Sequence, residues 1–81
     1  MRRVVRLAAA SGDLVGLSSN DEENRIVRAI AEFAARGQGL FSIGEVGADG
    51  LAGRLYIGGI AYCVLLRVTD EVVFVEAIVA R

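Results

Sequence analysis

From Arg54 to Ala80 the chain reads almost without interruption as β-strand. Arg54–Ile57 is followed by Gly58-Gly59, then Ile60–Val68, then the turn Thr69-Asp70-Glu71, then Val72–Ala80. A Gly-Gly pair suits a two-residue hairpin, because both positions can take positive φ. The pattern predicts a three-stranded antiparallel meander. Tyr62, Val64, Leu66 and Val68 share one face, and Ala61, Cys63 and Leu65 share the other. A sheet buried on one face only would alternate apolar and polar residues more cleanly. This sheet therefore calls for cover on both faces. Composition sharpens the point: 54% of the 81 residues are hydrophobic, against a usual ~45–50% that also counts glycine. One domain, spanning 1–81, is all this length allows, and such a domain buries only roughly 60% of its unfolded surface. Helices can cover one face, and the other is left for a partner.

Two helices precede the meander. Residues 2–8 read as a first strand, with β-branched Val4 and Val5. Ala8-Ala9-Ala10, Leu14 and Leu17 favour a short helix near 8–17, weakened by Gly12 and Gly16. Ser19 and Glu22 have the spacing of a capping box, and Asp21, Glu22 and Glu23 place acids in a first helical turn. Ile26, Ile30 and Phe33 then recur at helical spacing up to Arg36, and Gly37 stops the helix. Arg28–Glu32 and Glu32–Arg36 are spaced to pair on its outer side. Residues 37–53 hold six of the ten glycines and read as a surface loop or flap. Leu40-Phe41-Ser42-Ile43 within it is a short strand or an extended segment.

Charge and residue types narrow the chemistry. All nine basic residues are arginine, there is no lysine or histidine, and the net charge is −1. The strand-forming half, residues 37–81, has three arginines against five acids. A nucleic-acid binder usually carries a basic stripe, and none is visible here. Cys63 is the only cysteine, so no internal disulfide can form, which fits a reducing cytoplasm. No metal-ligand spacing occurs, and neither a Walker nor a dinucleotide-binding spacing is present, so no metal or cofactor is expected. Arg6, Gly12 and Asp13 interrupt the N-terminal apolar stretch, which rules out a signal-peptide reading. No apolar run approaches the ~20 residues of a membrane span.

Strand, helical hairpin and three-stranded antiparallel meander ending in arginine is an α+β order that resembles the RelE/ParE toxin superfamily of bacterial type II toxin–antitoxin systems. Ala9–Leu17 resembles the family's first helix. Arg54-Leu55-Tyr56-Ile57-Gly58-Gly59 is similar to its arginine-rich hairpin, and Glu76-Ala77-Ile78-Val79-Ala80-Arg81 to its closing strand. The resemblance implies a toxin neutralised by a cognate antitoxin whose tail covers apolar surface. Such a toxin stops growth by binding DNA gyrase or by ribosome-dependent mRNA cleavage. It implies Arg54, Arg81 and Tyr56 as catalytic residues, and we add Arg67 and Tyr62 as partner-binding residues.

The departures from the family pattern bear on the chemistry. The second hairpin arginine falls at Tyr56, the one after the turn at Ala61, and the histidine before the terminal arginine at Ala80. Cleavage through a ribose hydroxyl needs a base, an acid and cations on the phosphate. Arginine keeps its proton at any ordinary pH, and tyrosine, with a reference pKa of about 10, is a poor base at neutrality. Gyrase-binding members need no nuclease site. Each residue also has an ordinary structural use. Arg54 and Arg81 can be surface residues, Arg67 can pair with Glu71 or Glu76, and Tyr56 and Tyr62 can be partly buried strand aromatics. Cys63 reads as a small buried apolar side chain. The alternative reading is a non-catalytic interaction module that self-associates as a homodimer through its exposed sheet, or an inactive toxin-like scaffold.

Overall fold

The C-terminal strands do form an antiparallel meander, but it has four strands rather than three and sits in a larger mixed sheet. In the computed structural model, which describes residues 1–17 and 19–81, the elements run β1 (Arg3–Arg6), α1 (Ala8–Val15), α2 (Asn20–Arg36), β2 (Leu40–Gly47), β3 (Gly50–Tyr56), β4 (Tyr62–Val68) and β5 (Val72–Ala80). The sheet order is β1-β5-β4-β3-β2, with β1 parallel to β5 and every other pair antiparallel. The chain is α+β. The expected strand, helical hairpin and three-stranded meander is nevertheless overturned by this five-stranded mixed sheet. The helices do not act as one hairpin unit either: the backbone of α1 lies closest to β5, whereas that of α2 lies closest to β1.

The missing strand lay in the glycine-rich stretch. Residues 37–53, expected as a surface loop or flap in which 40–43 is a short strand or an extended segment, supply all of β2 and the start of β3, joined through Ala48-Asp49. Glycine is a turn signal in sequence, but Gly53 serves a close approach between strands. A Cβ there would collide with the backbone carbonyl of Ser42 and press on the Phe41 ring. One further residue, Gly44, has no partner on β3, where the register shifts between Ile43 and Glu45; it forms a β-bulge.

The Gly58-Gly59 turn is also longer than expected. Tyr56 pairs with Cys63, so residues 57–61 form the connection. Only Gly59 of the two takes positive φ, at 81°. Ile57 and Ile60 turn inward from this loop and are buried, while Arg25 of α2 donates from Nη2 to the Gly58 carbonyl at 2.9 Å. The loop is thus anchored at both its apolar and polar groups.

Helix α2 follows its sequence signals closely. Ser19 Oγ accepts from the Glu22 N–H at 3.4 Å, and Gly37 closes the helix with its N–H donating to the Phe33 carbonyl at 2.8 Å. Arg36 reaches Glu32 at 3.3 Å, whereas Arg28 makes no such pair among the described residues. Ile26, Ile30, Phe33 and Ala34 face the sheet and meet Leu55, Val64, Leu66, Val73 and Val75, with Ala10 and Leu14 of α1 completing one core. Helix α1 takes over beside β5 where β1 stops. The Leu7 N–H donates to the Val75 carbonyl at 3.0 Å, and Asp13 Oδ2 accepts from the Ile78 N–H at 3.0 Å. No helix among the described residues is long and apolar enough to cross a membrane.

Candidate functional site on the open sheet face

Both helices contribute to a single core on one face of the sheet, and strand alternation fixes what remains on the other. Across β3, β4 and β5 the registers run Arg54–Leu65–Ala77, Tyr56–Cys63–Val79 and Ala52–Arg67–Phe74. These rows point away from the helices. β2 adds Leu40 opposite Tyr56 and Ser42 opposite Arg54. The result is an apolar strip carrying arginines, with no helix or strand of the described residues lying over it.

Three of the residues expected at the site come together here. Arg54 and Tyr56 are two apart on β3, about 7 Å along the strand and on the same face. Arg81 is brought in from the other side of the sheet. Its N–H donates to the Ala61 carbonyl at 3.0 Å, and its Nη1 to the Ile60 carbonyl at 3.4 Å. These bonds hold its guanidinium 5.6 Å from the centroid of the Tyr56 ring, within cation–π range. The loop at 57–61 is therefore what links the C-terminus to β3. Neither Arg54 nor Arg81 has an ion-pair partner among the described residues.

Tyr56 stands between two adjoining depressions. One, of about 460 Å³, is lined by Ser42, Glu45, Arg54, Leu65 and Glu76 together with Tyr56. The other, of about 390 Å³, is lined by Leu40, Phe41, Ser42, Tyr56 and Arg81. A larger depression, about 610 Å³, lies elsewhere, between the 47–51 and 68–72 turns. Its Arg2 Nε is already spent on the Thr69 carbonyl at 2.7 Å, and Asp49, Asp70 and Glu71 surround it.

The two residues expected to bind a partner are separated. Arg67 lies on the open face, with its guanidinium 4.8 Å from the Phe74 ring centroid and its Nε 3.8 Å from Glu76 Oε2. That separation is too long for a hydrogen bond, so the buried Nε has no acceptor among the described residues. Tyr62 points the opposite way and packs against the core. Cys63 is on the open face yet only 1% exposed, between Tyr56 and Val79.

Sequence reasoning missed Ser42 and Glu45 as site residues and took Glu76 only as a partner for Arg67. Ser42 lies in the segment expected as a short strand or an extended run and Glu45 just beyond it in the glycine-rich stretch; both belong to β2. Glu76 is the unpaired residue of a bulge in β5, where Leu65 pairs with Ala77 but Leu66 with Val75. Counting two residues from Phe74 puts Glu76 on this face within reach of Arg67, and the bulge turns Ala77 to the same side. With these residues β2 to β5 and the C-terminus bring three arginines and two carboxylates to the face, and Arg3 of β1, paired with Val72, points to the same side, a mixed rather than uniformly cationic surface. The chain matches no protein-family model, and no curated protein matches it at a significant level.

Proposed function

We propose that this chain is a binding protein whose open sheet face receives a partner, and specifically the toxin of a type II toxin–antitoxin pair that acts by engaging its target rather than by cleaving RNA. The observation that carries the reading is the meeting of Arg54, Tyr56 and Arg81 on an uncovered apolar face. Two guanidiniums with no ion-pair partner among the described residues, flanking an aromatic ring, are anchors for carboxylates, and the apolar rows beside them reward an extended or helical segment laid across them. An antitoxin tail with apolar and acidic residues has that chemistry. The resemblance of residues 54–59 and 76–81 to RelE/ParE toxins supplies the biological setting and makes DNA gyrase the favoured target.

One observation favours a second reading, ribosome-dependent mRNA cleavage. Glu45 and Glu76 line the same depression as Arg54 and Tyr56. A carboxylate there could take the proton that arginine cannot. Against it, both carboxylates oppose phosphate binding, and Glu76 is turned toward Arg67.

Induced expression in a bacterial culture tests the proposal. Growth arrest with filamentation and intact protein synthesis supports gyrase binding. Arrest with an immediate stop in translation supports the nuclease reading. Unimpeded growth at high soluble expression refutes a toxin role and leaves an interaction module or inactive scaffold.

A further inference from the structure

The two edges of the sheet are built differently. The β1 edge carries Arg3 and Arg6, with Arg2 beside them, and like charges on an edge oppose pairing with another strand. The β2 edge has one charge, Glu45, and no lysine, arginine or proline. It also exposes Leu40 at 73%, Ile43 at 54% and Val46 at 72%. Such an edge offers unpaired backbone groups and apolar side chains together, and only the Gly44 bulge limits it, leaving Leu40–Ile43 as the regular segment.

We propose that this segment is the interface for a second copy of the chain, pairing β2 antiparallel to β2 about a two-fold axis normal to the sheet. The inference goes beyond the proposed function and uses the sheet's edge rather than its open face. A two-fold of this kind pairs residues of like face, so its centre falls on a residue. Centred on Ser42, it sets Phe41 opposite Ile43 of the second copy, twice over, and Ser42 opposite its own counterpart. Phe41 is held for this by its packing on Phe33, with ring centroids 5.0 Å apart. Self-pairing also suits the charges. The two Glu45 residues fall six positions apart, about 20 Å at the rise of a strand, well beyond a physiological screening length of about 8 Å. A foreign strand gains no such complementarity from an edge with one charge, whereas a second copy presents the same apolar residues. The contact is smaller than the ~800 Å² per partner of a standard interface, so the dimer is concentration-dependent.

Sedimentation equilibrium of the full chain over a micromolar concentration series tests this. The parent is expected to approach twice the monomer mass. Leu40→Arg/Ile43→Arg is expected to remain monomeric with its circular dichroism and melting unchanged, since neither side chain is in the core. Val15→Arg, an exposed change elsewhere, is expected to dimerise like the parent, as is Arg54→Ala/Arg81→Ala, which separates this interface from the open face. Ser42→Cys treated with a short bismaleimide is expected to give a covalent dimer, and Asp70→Cys none. A parent monomeric throughout overturns the proposal. So does a Leu40→Arg/Ile43→Arg variant that still dimerises, or an open ladder of larger species, which would mean head-to-tail pairing of β2 with β1.

Discussion

Replacing Gly53 by alanine separates the strand from the loop reading of residues 37–53 by the sign of its effect. In a solvent-exposed loop, or in a strand with room, alanine is favoured over glycine by about 0.5–1 kcal/mol, because glycine loses more chain entropy on folding. In the folded protein the added methyl has no room. Its nearest neighbours are the Ser42 carbonyl oxygen and carbon and the Phe41 ring, and two of these three are backbone that a rotamer change cannot move. β2 must shift away from β3 for the methyl to fit. Overpacking of this kind costs typically ~1–3 kcal/mol, so the net effect is a loss of about 1–2 kcal/mol. For a domain of 60–100 residues each kcal/mol is worth about 4–8 °C in Tm, which gives a fall on the order of 5–15 °C. Thermal unfolding followed by circular dichroism measures it. An unchanged or raised Tm would refute both the β2–β3 pairing and the steric argument. A Ser42 carbonyl displaced from β3 should also speed amide exchange along β2 while leaving β4 and β5 protected.

Other positions give independent checks. Asp13→Ala strips the Ile78 N–H of its acceptor at the edge of β5 and should cost about 1–3 kcal/mol in denaturant unfolding, with Asp13→Asn retaining most of the stability. Ser19→Ala removes the α2 cap; the 3.4 Å bond is long, so the loss should sit at the lower end of the ~0.5–2 kcal/mol range for caps. The Cys63 thiol, 1% exposed, should resist an aromatic disulfide reagent in native buffer and react at once in denaturant; fast native reaction would mean that the Tyr56–Arg81 side of the sheet opens.

Much of this architecture was legible because it depends on local rules. Ser19, the helical spacing of Ile26, Ile30 and Phe33, and Gly37 define α2 with little help from the rest of the chain. The apolar residues on both sides of β4 announced a second face needing cover, and that face exists, with Leu65 and Cys63 on it. Arg54 and Tyr56 share a face by simple alternation. What sequence could not show depends on residues distant in the chain. Glycines at 50 and 53 signal a loop until β2 and β4 are placed beside them. The parallel pairing of β1 with β5 joins residues almost seventy positions apart. Tyr62 shares a face with Val64, Leu66 and Val68, as alternation places it, and only the folded chain shows that this is the face the helices cover. The approach of Arg81 to Tyr56 follows from the 57–61 loop, whose carbonyls hold Arg81.

The account rests on the open face being the functional surface, and location-specific loss of activity tests it most directly. Growth arrest on induced expression would be compared for the parent, for Arg54→Ala/Arg81→Ala, and for Arg28→Ala/Arg36→Ala, which removes equal charge from the exposed side of α2, away from that face, at matched soluble levels. The account predicts arrest by the parent and the control pair, and normal growth with Arg54→Ala/Arg81→Ala. Equal arrest by all three, or loss only in the control pair, would contradict it.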